Sequence, residues 1–319
     1  MSTFFDTAPA ISHPPRNGWQ LFRMLATGQW MPGLAWQNPH YRRKFLLRSL
    51  AAPMATQRWL RLLARQPHME TLLQAQPGLP CRLHRPYLSV KTRHDDAYAA
   101  LDFHYKQFNR LLPAALLQSH WSSQGAHLAQ LTGKNGEQYR ILLASLATLD
   151  KEGEATLLFC DEKDTVLAGL TFTLCQREGK STLFIGGLQG AKSWIPHENI
   201  QAATKACHGL FPKRLLLETA CFLAPQLQIA QIQAVGNDTH IYRNWRYAKK
   251  KKEQLHADYD SFWRSLDGTP GDDGYYSLPL AMTRKPMEDI VSKKRAEYRR
   301  RYELLDSLCV QINAAMNTP

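Results

Sequence analysis

Apolar residues recur along this chain with two different periods, and the change of period divides it. Between 41 and 65, Phe45, Leu46, Leu50, Trp59, Leu60 and Leu63 come at helical spacing with arginines between them. Pro53 stands inside that run, and its ring predicts a break or kink at Ala52. A second helical region is expected over 95–120, where Tyr98, Leu101, Tyr105 and Phe108 share a face. From 139 the pattern shortens. Apolar or alternating runs of strand length occupy 139–148, 155–160, 166–176 and 182–187, separated by turn-like polar stretches at 150–153, 161–164 and 177–180. Such short connections favour antiparallel pairing.

Helices are expected over 197–208 and 213–226, punctuated by Gly209 and Pro212. A strand follows at 229–235, then a helical turn through 240–247, a strand at 275–281 and a strongly charged helix over 288–312. Because 229–235 returns after a helical crossover, it is expected to lie parallel to a strand of the meander. The fold class is α+β: a mixed, largely antiparallel sheet with an N-terminal helical region and a basic C-terminal helix. The organisation read from this is an extension at 1–38, a helical region at 39–130, an α+β core at 131–285 and a basic helix and tail at 286–319.

Charge changes the picture. The 319 residues carry 40 Lys and Arg against 27 Asp and Glu, a formal charge of +13. The excess sits in the flanks: 7–69 contains no acid and nine basic residues, and 239–252 and 293–301 hold further basic clusters. A polyanion-facing surface needs that distribution. An anionic membrane surface is one partner it suggests, RNA another. Sequence-specific DNA binding is not expected, because no base-reading motif accompanies the charge. For 41–65 two readings stand: a helix whose apolar residues pack inward and leave the arginines solvated, or one that enters an anionic bilayer. The run Lys249, Lys250, Lys251, Lys252 is read as a solvated helix end or a patch for lipid or RNA phosphates. No long apolar run or secretory leader is seen, so a cytoplasmic location is expected, extending to peripheral association with the inner membrane. The six cysteines form no CxxC pair and sit mostly in apolar runs, as structural thiols do. A near miss to HExxH at His197 and Glu198 lacks its second ligand, since Gln occupies 201, and no metal is expected.

Two stretches carry candidate chemistry. The strand ending in GGLQG at 186–190, with Lys192 beyond it, is not a P-loop, because Ala191 precedes the lysine and the following helix is delayed. It is read as a glycine-permitted turn or bulge, or as a backbone-lined phosphate or pantetheine slot made by Gly187, Leu188, Gln189, Gly190 and Lys192. The second, at 232–242, runs from a buried strand through Asn237 to a helical turn and presents His240 and Tyr242 near a strand end. Asn237 or Asp238 is expected to cap that turn.

The stretches HYRRK (40–44), GGLQG (186–190), HGLFPKRLL (208–216), AVGNDTHIY (234–242), YDSFW (259–263) and KKRAEYRRRY (293–302) resemble the VirK/YbjX family, a group defined by a domain of unknown function. The resemblance covers about 40–305. It implies a Gram-negative cytoplasmic protein linked to virulence, envelope integrity and antimicrobial peptide tolerance, with no reaction assigned. A more distant resemblance is to the GNAT acyltransferase fold, in which two parallel strands splay and hold the pantetheine arm of acyl-CoA. The matching strands are 182–187 and 229–235. This resemblance implies acyl-CoA or another activated acyl donor as cofactor, Tyr242 as the acid that protonates the leaving thiolate, His240 as base or substrate contact, and Asn237 and the 187–192 stretch as cofactor contacts. The expected function is acyl or aminoacyl transfer onto an envelope precursor. A non-enzymatic, chaperone-like factor holding RNA or anionic lipid is the alternative.

Overall fold

The computed structural model describes residues 14–247 and 258–317. The lysine run at 249–252 lies outside them.

The N-terminal layer is built from short, well-terminated helices. In α1 (Gly18–Thr27) Asn17 caps the first turn through a bond from Gln20 N, and Gly28, with φ 78°, closes the last. α2 (Leu34–Gln37) is one turn. α3 (Pro39–Ala51) and α4 (Pro53–Leu63) each start on a proline, and the break falls at Ala52 as Pro53 predicts. α5 (Met69–Ala75) leads into a 3-10 segment, Leu79–His84. Trp59, Leu60 and Leu63 are buried, so the apolar face of α4 belongs to the core. Of the two readings of 41–65, inward packing describes this helix.

α6 (His94–Leu111) lies along the sheet, where Phe108 meets Phe172 at 6.4 Å, and α7 (Ala114–His120) follows. The sheet has eight strands in the order β1-β2-β3-β4-β5-β6-β8-β7. The first five, β1 (Ala126–Thr132), β2 (Gln138–Ala144), β3 (Ala155–Asp161), β4 (Val166–Arg177) and β5 (Lys180–Gly190), form an antiparallel meander. Glu178 and Gly179, both with positive φ, make the two-residue β4–β5 turn. α8 (His197–Ala206) and α9 (Pro212–Gln226) then carry the chain to β6 (Gln231–Val235), which pairs parallel to β5 as the crossover predicts. α10 (Tyr259–Arg264), β7 (Thr269–Pro270) and β8 (Tyr275–Leu278) complete the far edge. α11 (Ser292–Met316) buries Leu304, Leu305, Leu308, Ile312 and Met316.

The outer strand β1 is covered in an economical way. Gln130 N–H donates to Gln311 Oε1 at 2.8 Å, and Gln311 Nε2 donates to Gln130 O at 2.9 Å. One side-chain amide thus takes both backbone bonds that a further strand would claim at Gln130.

Candidate active site

β6 pairs with β5 only over Thr182 to Ile185. Beyond that point Gly186 to Gly190 continue along β4, and what fills the space beside them is not another strand. Two pieces of chain arrive there. The first is 150–154, which the sequence presents as a polar turn. It is instead drawn into the core, with Leu88 N–H donating to Lys151 O (2.7 Å) and Glu154 N–H to Phe172 O (3.1 Å). Three glycines make the approach feasible: a Cβ at Gly153 would lie 2.6 Å from Phe172 O, and one at Gly186 or Gly187 would overlap Glu152 itself. The second piece is 236–242 with α10. Asn237 Oδ1 accepts from Tyr259 N (2.8 Å), Asn237 Nδ2 donates to Asp258 (2.9 Å), and Asn237 N–H donates to Asp260 (2.8 Å). Asp258 is the N-cap of α10, accepting from Ser261 N (3.1 Å), and Asn237 takes the helix's first N–H, so it serves α10 and not the turn next to it in sequence. His240 holds its own turn, with Nδ1 accepting from Tyr242 N (3.3 Å).

The result is a buried polar cluster around the carboxylate of Glu152. Gln189 Nε2 donates to both of its oxygens at 2.9 Å, the Tyr242 phenol is hydrogen-bonded to it, and His240 Nε2 lies 3.7 Å away. Tyr259 Oη accepts from the Leu188 N–H (3.2 Å) and stands 3.4 Å from His240 Nε2, its ring stacked on the imidazole. Burial, with the Arg243 charge, pushes His240 down to about 4, so the imidazole is neutral near pH 7. Its Nδ1 is occupied as an acceptor, which assigns the proton to Nε2, facing Tyr259 and Glu152. Burial, then the Glu152 charge, pushes the phenols of Tyr242 and Tyr259 upward, so both remain proton donors at all working pH values.

Of the residues singled out from sequence, His240, Tyr242, Leu188, Gln189 and Gly187 meet in this cluster. Gly187 to Gly190 belong to a strand, not to a turn, but a bulge does fall at Gly186, between the paired residues Ile185 and Gly187, as the alternative reading expects. Gly190 lies at its exposed end beside Lys213, and Lys192 is exposed in the loop beyond. Glu152 and Tyr259 were not among the expected site residues. A cleft of about 280 Å³ reaches the cluster's flank at Ser89, whose backbone bridges His240; Arg85, Arg93, His94 and Arg246 also line it.

A second ionic group adjoins the first. Arg82, fully buried, reaches Asp150 at 2.7 Å and Glu154 at 2.9 and 3.3 Å, and donates to Gln76 at 3.1 Å. Two of these contacts, through Nε and Nη1, are at ion-pair distance but off the hydrogen-bond line. Tyr105 donates to Glu154, and Arg85 pairs with Asp150. Burial alone would raise the Asp150 carboxyl, but Arg82, Arg85 and Lys151 outweigh it and hold it at about 2. Asp150, Glu152 and Glu154 thus alternate along one buried segment, the outer two neutralised by arginine and the middle one surrounded by hydroxyl, amide and imidazole donors.

Among the described residues no helix is long and apolar enough to cross a membrane. Comparison with known sequences yields a family described as "Protein of unknown function (DUF535)", matched over residues 35–314. The chain is 49% identical over 292 residues to the "Uncharacterized protein YbjX" of Escherichia coli (strain K12), covering 92% of this chain and 88% of that one. It is 36% identical over 130 residues to an uncharacterized protein of Haemophilus influenzae, covering 41% of this chain and 43% of that one. A match across nearly the whole fold, together with close identity to YbjX, means that the chain belongs to the VirK/YbjX (DUF535) family.

Proposed function

We propose that this protein is an acyl or aminoacyl transferase acting on an amine or hydroxyl of an envelope precursor, with acyl-CoA or another activated acyl donor as co-substrate. The observation that carries the reading is the meeting of the 186–190 strand end with His240 and Tyr242 through Glu152 and Tyr259. Support also comes from topology: an antiparallel meander, a helical crossover, and a parallel partner that leaves β5 after four paired residues resemble the GNAT arrangement. In this reading the donor's carbonyl lies along 186–190. The acceptor's nitrogen or oxygen attacks it, and the proton passes to Glu152, the acceptor in the cluster. Tyr242 gives its proton to the departing thiolate. His240, protonated on Nε2, steadies the Glu152 carboxylate. The basic cleft at Arg85, Arg93 and Arg246 suits the donor's phosphates.

The test is acyl transfer from a panel of acyl-CoA thioesters to amine-bearing envelope extracts, read by thiol release. Tyr242→Phe and Glu152→Gln should fold and lose roughly 100-fold or more of the rate, the usual weight of a positioned acid or base. Full activity in both variants, or no thermal stabilisation by any thioester, would overturn the reading.

An anionic membrane surface as partner has its own support. Trp19, Leu47, Leu50 and Met54 are 64%, 66%, 65% and 83% exposed, and Arg43, Lys44 and Arg48 are exposed on the same α3. An apolar set rimmed by cations suits peripheral contact with anionic lipid, and these residues, not the buried Trp59 face of α4, would make it. Vesicle co-sedimentation decides it. Leu47→Ser/Leu50→Ser should lose binding to anionic vesicles, and no preference for anionic over neutral vesicles would end the idea.

A further inference from the structure

The arginines at the end of α4 open onto a second cavity. Arg58 and Arg61, three residues apart on α4, and Arg65, in the turn that follows the helix, all line it and are exposed, while Trp59, Leu60 and Leu63 fasten the other face of α4 to the core. Opposite them, α6 presents Lys106 and Arg110. The groove between has a volume of about 680 Å³, and its lining carries five cations and one carboxylate, Asp102. That carboxylate is already taken by Lys106 at 2.6 Å. Arg58 Cζ stands 3.9 Å above the centre of the Tyr98 ring, a cation–π contact that uses no N–H donor. Arg110 is held by the neutral side chains of Gln107 and Gln228. Among the described residues, none of the four arginines has a carboxylate partner.

This groove is remote from the Glu152 cluster. Gln228, which holds Arg110, accepts from Ser181 Oγ at the start of β5. Leu188 is seven residues further along that strand, or about 23 Å at roughly 3.3 Å per residue.

We infer that the α4–α6 groove is a binding site for a phosphomonoester or diphosphate group. Guanidinium forks pair with phosphate oxygens two at a time, and four uncompensated arginines exceed what one phosphodiester charge requires. A monoester, near −2 at neutral pH, or a diphosphate matches the site better.

The test is calorimetric titration of the full chain with inorganic pyrophosphate at fixed ionic strength, beside vesicles of phosphatidylcholine with and without phosphatidic acid. Pyrophosphate should bind, and Arg61→Gln/Arg65→Gln should weaken it tenfold or more while leaving the unliganded melting temperature unchanged, since both side chains are exposed. Arg93→Gln/Arg246→Gln, in the cleft that the transferase reading gives to the donor's phosphates, should leave pyrophosphate affinity unchanged, which separates this site from that reading. Competition by phosphatidic acid vesicles would assign the natural phosphate to a lipid headgroup; binding of pyrophosphate without competition would assign it to a soluble ligand. The inference is overturned if neither probe binds, if the double variant binds as well as the parent, or if an oligonucleotide lacking a terminal phosphate binds more tightly than both.

Discussion

Replacing Arg82 by Met should be among the most damaging single changes in this protein. The guanidinium is fully buried and neutralises Asp150 at 2.7 Å and Glu154 at 2.9 Å. Met preserves most of the packing volume, so the loss is electrostatic: one carboxylate keeps Arg85 and Lys151 as its cations, and the other keeps only neutral phenols, Tyr105 and Tyr87. Removing one partner of a buried pair costs about 3–5 kcal/mol, because the remaining charge is stranded. Unfolding entropy near the melting temperature is about 2.1 cal/mol/K per residue, or about 0.7 kcal/mol/K for a chain of this length. A loss of about 4 kcal/mol therefore lowers the melting temperature by about 6 °C. The assay is calorimetry of wild type, Arg82→Met and the charge-free triple variant Arg82→Met/Asp150→Asn/Glu154→Gln at pH 7. The triple variant should recover most of the loss, since a neutral set strands nothing. The gap between wild type and Arg82→Met should also close below pH 4. Asp150 is held at about 2 against an ordinary 3.8, so its contribution is present above pH 4 and vanishes as pH falls through 2. A drop under about 2 °C, or a triple variant no better than the single one, would refute the reasoning.

Buried histidines give the protein a second, milder acid sensitivity. Burial holds His120 and His240 at about 4 against an ordinary 6.5, so each stabilises the fold fully above pH 6.5, by about 3 kcal/mol, and loses that between 6.5 and 4; a melting temperature that stays flat from pH 7 to 4.5 would contradict this. Gly186→Ala should destabilise by about 3 kcal/mol or more, since its Cβ would overlap the Glu152 backbone, whereas Gly169→Ala, whose nearest neighbour is 3.5 Å away, should change stability by under about 1 kcal/mol; chemical denaturation compares them, and equal effects would rule out the close crossing. Native alkylation with iodoacetamide followed by mass spectrometry should modify Cys309 alone, because burial pushes the thiols of Cys160, Cys175, Cys207 and Cys221 up to about 12 and that of Cys81 upward as well.

Much of the fold could be read from periodicity. The helices on either side of Pro53, the antiparallel meander and the parallel return of β6 all follow from spacing and connection length. β1 escaped because a bulge between His127 and Ala129 breaks its alternation, and the two-residue β7 is too short to have a pattern. The site was half legible. His240 and Tyr242 stood out because they follow a buried strand, but Glu152 was hidden inside a polar stretch that looked like surface. Its burial depends on Gln189 and Tyr242, with Arg82 neutralising the flanking Asp150 and Glu154, all distant in sequence, and on three glycines that let backbones touch. One local signal was present. Acids at 150, 152 and 154 alternate straight into the buried strand β3, and a solvated turn has no need of that alternation.

The amide that closes the outer edge of the sheet is made late. Gln311 follows Gln130 by 181 residues, so at roughly 5–20 residues per second a ribosome needs on the order of 10–35 s to supply it. Throughout that interval the two backbone groups of Gln130 remain unclaimed and open to any extended chain nearby, including a neighbour on the same polysome. Crowded translation is thus the moment at which this protein is most exposed to pairing with the wrong partner, and helper proteins that shield strand edges would act there.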